Sequence, residues 1–218
     1  MLARLLLLAV LVQAGEKKLV IVALGDSTTA GTPYFKSPLE APPKGKGDRQ
    51  GQYSYWMNRM DAGWRVLNRG VNRQRSDEIL ARFERDVVKE KPKYVIILAG
   101  INDVWQGYPA AKTKANLSEM YDHAAKAGIV PIAASVLPVD LANEKQDKEI
   151  ASLNDWIKNE AGRRKIPFCD LHSVAASPND PTRLALSAHD GLHPDLMVYQ
   201  HMGEALARLI VELERPKK

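Results

Sequence analysis

Cysteine is nearly absent from this 218-residue chain, in which Cys169 stands alone. A single thiol excludes an internal disulfide framework and every CxxC zinc or redox motif. Long apolar runs are missing too, because the run over residues 5–12 has eight residues, whereas a membrane span needs roughly 20. No basic run dominates the formal net charge of +5, so the charge alone does not indicate nucleic-acid binding. We therefore expect neither a stable membrane span nor a nucleic-acid partner.

Motifs for phosphate, dinucleotide and zinc binding are also missing. The chain contains neither the GxxxxGK[ST] phosphate loop nor the GxGxxG turn of dinucleotide-binding folds, which disfavours a flavodoxin-like nucleotide binder. It lacks HExxH, and the sequence indicates no third ligand for a metal at His189 and His193. The GxSxG turn of α/β-hydrolases is absent as well. No metal and no cofactor are predicted.

The contents of hydrophobic residues (45%) and charged residues (26%) are typical of a folded globular chain. Residues 1–14 read as a secretory signal peptide. Arg4 precedes the apolar run, and Val12 and Ala14 occupy the −3 and −1 positions of a cleavage site. The alternative is a buried N-terminal helix. We expect residues 15–218 to form a single domain that is secreted or periplasmic once the signal peptide is removed.

Short apolar, β-branched runs alternate with helical patterns along the rest of the chain. The runs predict buried strands at residues 18–25, 64–67, 94–100, 129–136 and 166–171. Helices are predicted at residues 53–60, 76–90, 114–127, 145–164 and 196–213. Within the second helix, Glu78 and Arg82 are expected to form an exposed i,i+4 pair. Strands separated by helices predict an α/β fold with a parallel sheet covered on both faces.

The segment 36–51 is rich in Pro, Gly and Lys and predicts an irregular loop. Lys36, Lys44, Lys46 and Arg49 crowd this loop. Because the loop begins close to Ser27 in the sequence, these cations could attract anionic substrates. A solvated loop without a ligand is the alternative interpretation.

Polar residues follow three predicted elements at the places where parallel sheets carry their sites. Ser27 stands at the end of the first strand, where it can act as a nucleophile or cap a helix. Asn102 follows the third strand, and its amide can stabilise an oxyanion or form a turn. Near the C-terminus, Asp190 precedes His193 by three residues. That spacing lets a carboxylate orient an imidazole, or it closes a polar turn.

A hydroxyl nucleophile, an amide donor and an Asp-x-x-His pair are the parts of a serine hydrolase. Their order resembles that of the GDSL/SGNH hydrolase family, in which the matching blocks are Gly25-Asp26-Ser27, Gly100-x-Asn102-Asp103 and Asp190-x-x-His193. The resemblance spans about residues 18–213. It implies a three-layer α/β/α sandwich with a flavodoxin-like parallel sheet, usually of five strands. It also implies that Ser27 is the nucleophile, His193 the base and Asp190 the residue that orients the base.

One block departs from this family pattern. After the second strand the family has an Asn and then a Gly whose backbone N–H donates to the oxyanion. Aligning Asn68 with that Asn puts Arg73 in the place of the Gly. The N–H survives, so the predicted oxyanion donors are the amides of Ser27 and Arg73 and the side chain of Asn102. If the conformation needs a positive φ, Arg is strained where Gly is not; Gly70 is a second candidate donor.

Three further residues near these blocks have two interpretations each. Trp105 and Tyr108 follow the Asn102 loop and either line the substrate pocket or pack against the fold. Cys169 lies in an apolar strand pattern, which favours a buried, unreactive thiol over a nucleophile.

The resemblance implies a secreted serine hydrolase that cleaves carboxylic esters through an acyl-enzyme. Expected substrates are small-molecule, glycan or lipid esters: short acyl esters, O-acetyl groups on carbohydrates, or lysophospholipids. The alternative is a catalytically degenerate protein of the same fold that binds a glycan or lipid. Arg73 favours that alternative, whereas Ser27, Asn102, Asp190 and His193 weigh against it.

Overall fold

The computed structural model describes residues 18–216, and the predicted signal peptide at residues 1–14 lies outside them. The strands of the described part are β1 (Leu19–Gly25), β2 (Phe35–Lys36), β3 (Lys46–Gly47), β4 (Trp64–Gly70), β5 (Tyr94–Leu98), β6 (Val130–Ala134) and β7 (Phe168–Cys169). Its α-helices are α1 (Ser27–Ala30), α2 (Tyr53–Met60), α3 (Ser76–Ala81), α4 (Phe83–Asp86), α5 (Ile101–Trp105), α6 (Ala110–Lys126), α7 (Glu144–Arg164), α8 (Leu171–Ala175) and α9 (Leu196–Glu214). No helix within residues 18–216 combines the length and apolar character that a membrane crossing requires.

Five strands form one parallel sheet in the order β4-β1-β5-β6-β7. The register aligns Gly25 of β1 with Gly70 of β4 and with Leu98 of β5. These three strands therefore end level with one another, and the loops that leave them meet at one edge of the sheet. β2 and β3 form a separate antiparallel hairpin. The predicted α/β class with a flavodoxin-like, five-stranded parallel sheet is confirmed.

The sheet is buried between helices. Residues 21–24 of β1 are fully buried, and so is nearly all of β5, which explains why these strands are apolar at every position. On one side α9 contacts α2 and α8, and on the other α6 contacts α3 and α7. The core thus fixes the ends of the central strands, from which the polar loops emerge.

The single helix predicted over residues 76–90 is wrong, because the chain leaves the helical conformation at Arg82. The side chain of Arg82 is 6% exposed and pairs with Asp86 at 2.9 Å. The predicted surface pair with Glu78 is therefore wrong as well. Glu78 instead accepts a hydrogen bond from the backbone N–H of Arg75 at 3.0 Å, as the third residue of a capping box. The inward turn of Arg82 separates α3 from α4.

The loop predicted over residues 36–51 contains the β2–β3 hairpin and a 3-10 turn at Arg49–Gly51. The short helices α1, α5 and α8 lie outside the predicted set, since four or five residues carry too little periodicity to be recognised. The helix expected from residue 114 begins at Ala110. None of these differences changes the order of the central strands.

Candidate active site

The first strand ends in a tight turn that holds Ser27. A Cβ on Gly25 would meet Thr29 Oγ1 at 2.2 Å, so only Gly lets the backbone come this close. Asp26 caps α1, and its Oδ1 accepts from the N–H of Thr28 at 3.0 Å. Ser27 is the first residue of that helix and is 7% exposed. Its own amide consequently has no acceptor within the helix.

Ser27 lies in a hydrogen-bonded line with His193 and Asp190. With the proton of the neutral imidazole on Nδ1, the Ser27 hydroxyl donates to His193 Nε2 at 2.8 Å. His193 Nδ1 donates to Asp190 Oδ2 at 2.7 Å. Ser27 and His193 are 166 residues apart in the chain, and the fold brings them into contact. The arrangement is that of a nucleophile, a general base and an orienting carboxylate.

A local turn positions Asp190. Its Oδ1 accepts from the backbone N–H groups of Leu192 at 2.9 Å and His193 at 3.0 Å, which leaves Oδ2 for the imidazole. Gly191 between them has φ 64°, a conformation natural to Gly. Burial raises the pKa of Asp190, but its hydrogen bonds to the ring and to the two amides together outweigh burial and hold the pKa below its ordinary value. The carboxylate that faces His193 is therefore charged.

The loop after β4 carries Arg73 in a left-handed conformation, with φ 63°. The expected strain at this position is thus present, and it amounts to about 1–2 kcal/mol for a residue with a Cβ. Two contacts fix the loop. Thr32 Oγ1 donates to Asn72 Oδ1 at 2.5 Å, and Gln106 Nε2 donates to the carbonyl of Arg73 at 3.1 Å. Among the described residues, no backbone carbonyl accepts from the Arg73 N–H, so this amide is available to a ligand.

Asn102 lies in α5, directly after β5. Its Nδ2 donates one hydrogen to the carbonyl of Gln74 at 3.0 Å, and the amide retains a second hydrogen. The bond also ties the Asn102 loop to the Arg73 loop. Gly70, the other predicted backbone donor, is already engaged, because its N–H donates to Asn68 Oδ1 at 2.9 Å. Of these two backbone candidates, the Arg73 amide remains for an oxyanion.

Asp103 holds the same loops together. It is 1% exposed and accepts from the backbone N–H of Ser76 at 2.9 Å, from the Ser76 hydroxyl at 2.5 Å and from Thr113 Oγ1 at 3.0 Å. These bonds join the starts of α3 and α6 to α5. The position of Asp103 next to Asn102 is the one sequence signal for this supporting role.

Two further buried charges lie at the strand ends, and sequence patterns predict neither. Burial raises the pKa of Asp26 to about 7, and its Oδ2 has no hydrogen-bond partner among the described residues. The guanidinium of Arg82 donates to the carbonyls of Gly25 and Arg69 at 2.8 Å each. Arg82 therefore ties the end of β1 to the end of β4. A capping Asp and a cation on a helix are both usually exposed, so the sequence pattern does not predict that Asp26 and Arg82 are buried.

A cavity of about 870 Å³ joins these groups. All the residues assigned to the site from the sequence line it: Ser27, Arg73, Asn102, Asp190 and His193. Its apolar lining comes from Leu98, Ile101, Trp105, Val136, Leu137, Val139 and Leu192, and further polar groups come from Thr32, Asn72 and Gln106. The cavity thus offers both apolar and hydrogen-bonding surface next to the Ser27 hydroxyl.

Some residues predicted near the pocket lie elsewhere. Trp105 lines the cavity, whereas Tyr108 lines a separate one. Lys44, Lys46 and Arg49 line a third cleft, so these cations of the basic loop do not line the catalytic cavity.

The lone thiol lies outside the cavity beside Ser27. Cys169 is buried, as predicted, and burial raises the pKa of its thiol to about 12, which leaves it unreactive at neutral pH. Within residues 18–216, no group of three or more His, Cys, Asp or Glu side chains is placed to hold a metal ion.

Comparisons with known proteins show which family the chain resembles over most of its length. The model of the GDSL-like lipase/acylhydrolase family matches residues 23–201. The chain is 26% identical to an acetylxylan esterase of Geobacillus stearothermophilus, over 90% of this chain and 94% of that protein. It is 30% identical to YqeF, an uncharacterized lipoprotein of Bacillus subtilis (strain 168), over 88% of this chain and 86% of that protein. A solved structure of a G-D-S-L family lipolytic protein from Desulfitobacterium hafniense superposes with a TM-score of 0.74 at 25% identity, covering 88% of this chain and 99% of that chain.

Proposed function

The chain belongs to the GDSL-like lipase/acylhydrolase family and is a carboxylic ester hydrolase, and from this premise we propose that Ser27, His193 and Asp190 are its catalytic triad. The observation that carries the proposal is the line of hydrogen bonds from Ser27 Oγ through both nitrogens of His193 to Asp190 Oδ2, at 2.8 and 2.7 Å. Each member is already within the distance that proton transfer requires.

In the first half of the reaction, Ser27 Oγ attacks the ester carbonyl carbon while His193 Nε2 takes the hydroxyl proton. Asp190 Oδ2 holds the ring through Nδ1 and stabilises its positive form. The tetrahedral intermediate then collapses, the bond from carbon to the alcohol oxygen breaks, and His193 returns the proton to the departing alcohol. The acyl group is left on Ser27.

The negative oxygen of the intermediate is met by three proposed donors: the N–H groups of Ser27 and Arg73 and the second hydrogen of Asn102 Nδ2. They come from the ends of β1, β4 and β5, which the register holds level. Donors fixed by the fold in this way need no rearrangement as charge develops. The left-handed turn at Arg73 is the local conformation that offers its N–H, so we attribute the strain there to catalysis.

In the second half, water replaces the alcohol. His193 Nε2 takes a proton from water as its oxygen attacks the acyl carbon, and the same donors hold the second tetrahedral intermediate. Its collapse breaks the bond to Ser27 Oγ and returns the proton to the serine. The carboxylic acid leaves, and the triad is restored without metal or cofactor.

The proposed substrate is a short acyl ester of a carbohydrate, an O-acetyl group above all. Apolar side chains such as Ile101 and Val136 line the cavity and can contact the acyl group, and Asn72 and Gln106 offer polar contacts to a sugar. The relative from Geobacillus stearothermophilus, which matches over nearly its whole length, is an acetylxylan esterase. A lysophospholipid is the competing substrate class.

We propose that the enzyme acts outside the cytoplasm, secreted or in the cell envelope. Residues 1–14 have the pattern of a signal peptide. The relative from Bacillus subtilis is a lipoprotein, and an acetylated polysaccharide is a substrate too large to enter a cell. The residues that follow the signal peptide then form one domain.

The test is hydrolysis of p-nitrophenyl esters from acetate to palmitate, together with acetylated xylan and a lysophospholipid, by wild type and by Ser27→Ala. We expect Ser27→Ala to lose at least about 10⁴ in kcat, and acetyl esters to be preferred. Ser152→Ala, an exposed hydroxyl away from the triad, is the matched control and should keep full activity. Retention of a tenth of wild-type activity by folded Ser27→Ala would overturn the triad. Preference for palmitate and the lysophospholipid would overturn the acetyl-ester assignment alone.

A further inference from the structure

The cleft lined by Lys44, Lys46 and Arg49 has a volume of about 550 Å³ and lies beside β4 at the edge of the sheet. The β2–β3 hairpin, α2 and β4 contribute its lining residues, and none of these also lines the catalytic cavity. Five cations line the cleft, namely Lys44, Lys46, Arg49, Arg65 and Arg69, and the described lining residues include no Asp or Glu. The lining of the cleft therefore carries a net positive charge.

Most of these cations are free of carboxylate partners. Arg69 pairs with Glu90 at 2.5 Å, but the other four are exposed and make no ion pair with a described Asp or Glu. The acidic side chains of the surrounding segment form hydrogen bonds with groups other than these cations. Asp48 and Asp61 each accept from the backbone N–H two residues further on, and Glu40 accepts from Asn72. Between residues 31 and 70 there are seven Lys or Arg and three Asp or Glu, so this segment carries four of the five net charges of the chain.

The largely buried side chain of Gln52 presents a donor at the cleft that has no acceptor among the described residues. Gln52 is 6% exposed, and its Oε1 accepts from Asn68 Nδ2 at 2.8 Å and from Ser54 Oγ at 3.0 Å. The orientation of Asn68 is fixed, because its Oδ1 accepts from the Gly70 N–H and its Nδ2 also donates to the carbonyl of Ala30. Gln52 must therefore turn Nε2 the other way, and no described residue accepts a hydrogen bond from it.

The Nε of Arg69 also has no hydrogen-bond partner among the described residues, but this atom is buried and is not a contact point for a ligand. Gln52 Nε2 therefore remains as the unpaired donor to which a ligand oxygen can bind. The exposed cations and this unpaired donor together favour a ligand that carries both negative charge and acceptor oxygens.

We propose that this cleft binds an acidic polysaccharide through the carboxylates and hydroxyls of its sugars. Lys44 and Lys46 lie on the hairpin and Arg65 on β4, which spreads the charge along a path and suits a polymer with repeated carboxylates. Thr32 of the catalytic cavity and Phe35 of the cleft are three residues apart, so their Cα atoms are at most about 11 Å apart. One polymer can contact both. The choice of a glycan rests on the proposed function, whereas the ligand's charge rests on the cleft alone.

The test is fluorescence anisotropy with a labelled oligogalacturonate, using Ser27→Ala so that no turnover intervenes. We expect saturable binding that weakens with salt, as screened charges require, and no binding of a neutral xylo-oligosaccharide at the same concentrations. The variant Lys44→Gln/Lys46→Gln/Arg65→Gln should weaken binding by at least about tenfold. The control Lys126→Gln/Lys145→Gln/Lys158→Gln removes the same charge from exposed positions on α6 and α7, and it should stay within about twofold of the parent. Unchanged thermal unfolding of both variants shows that they are folded.

Three outcomes would overturn the proposal. Equal loss in both variants would show attraction to the net charge and no site. Equal binding of neutral and acidic oligosaccharides would remove the role of the cations. Tighter binding of a DNA oligonucleotide of matched charge would assign the cleft to nucleic acid. Binding is measured without turnover, so the two proposals are tested separately. If the cleft does not bind the acidic oligosaccharide, the proposed esterase activity is unaffected. If the enzyme proves inactive on esters, the binding result can still be interpreted.

Discussion

Two aspartates flank the proposed nucleophile and base, and their surroundings are opposite in kind. Asp26 precedes Ser27, is 1% exposed and leaves one oxygen unpartnered among the described residues, and burial raises its pKa to about 7. The side chain of Asp190 is 25% exposed, both of its oxygens accept hydrogen bonds, and its pKa lies below its ordinary value. Ser27 is thus positioned by the buried core, next to a carboxyl whose burial is unfavourable. His193, in contrast, is positioned by the hydrogen bonds of the turn that contains Asp190.

Because of this difference between the two aspartates, we expect substitutions on the two sides of the site to affect stability and catalysis differently. A change on the nucleophile side, at Asp26 or Arg73, acts on buried or strained groups and should alter the free energy of unfolding. A change at Asp190 acts on a partly exposed turn and should alter the rate far more than the stability. The following substitutions test that division in order of expected effect.

Asp190→Asn should reduce kcat by on the order of 10⁴ with little loss of stability. The amide oxygen can still accept from the N–H groups of Leu192 and His193, but a neutral group cannot support the imidazolium. The control is Asp180→Asn, which changes a turn carboxylate bonded to Thr182 in the same region of the chain. Steady-state kinetics and chemical denaturation measure both quantities, and a rate loss below tenfold would remove Asp190 from the triad.

Asn102→Ala should reduce kcat by about 10²–10³, the usual effect of removing one oxyanion donor. Asn116→Ala serves as the control, because Asn116 Nδ2 donates to Ser76 Oγ at 2.9 Å and does not line the catalytic cavity. Both variants lose one structural hydrogen bond, so a comparison of their kcat values isolates catalysis. If the two variants lose equal activity, Asn102 has a structural role only.

The stability gained by Asp26→Asn over wild type should be larger at pH 8 than at pH 5 by on the order of 2–3 kcal/mol. In the folded state the pKa of Asp26 is raised from 3.8 to about 7, so unfolding releases a proton between these values. Wild-type stability therefore falls as pH rises through that window. The variant should lack this fall, which urea denaturation at several pH values measures. Parallel curves for the two proteins would contradict the buried, unpartnered carboxyl.

Arg73→Gly should stabilise the protein by about 0.5–1 kcal/mol, because Gly adopts the left-handed conformation without strain. The N–H donor remains, so kcat should stay within a few-fold of wild type. Lys165→Gly, at the left-handed C-cap of α7, is the control for the conformational gain. Both variants should gain similar stability in thermal unfolding. A large loss of kcat in Arg73→Gly alone would show that the Arg side chain takes part in turnover.

Sequence patterns predict most of this architecture because apolar strand runs and the spacing of polar loops are local. The order of five strands and the grouping of Ser27, Asn102, Asp190 and His193 follow from them together with the family resemblance. The break at Arg82 does not, because its inward turn depends on carbonyls of Gly25 and Arg69 that are distant in sequence. The burial of Asp26 cannot be predicted from the sequence pattern for the same reason. A local sequence pattern identifies Asp26 as a capping residue, but it gives no information on the residues that pack around it in the fold.

The basic loop shows a second limit of sequence reasoning. Its nearness to Ser27 along the chain suggests cations at the catalytic cavity, yet Lys44, Lys46 and Arg49 line a cleft of their own. Lys46 belongs to the β2–β3 pairing, and residues of β4 line the same cleft. That pairing covers two residues on each strand, which is too short for a periodicity signal.

The most direct test of the central claim is to trap the acyl-enzyme. Wild type is mixed with p-nitrophenyl acetate and quenched in acid, and its peptides are analysed by mass spectrometry. We predict one acetyl group on the peptide that contains Ser27, located on Ser27 itself, and none there in Ser27→Ala. An acetyl group on another residue that accumulates and decays at the rate of turnover, with Ser27 unlabelled, would contradict the assignment.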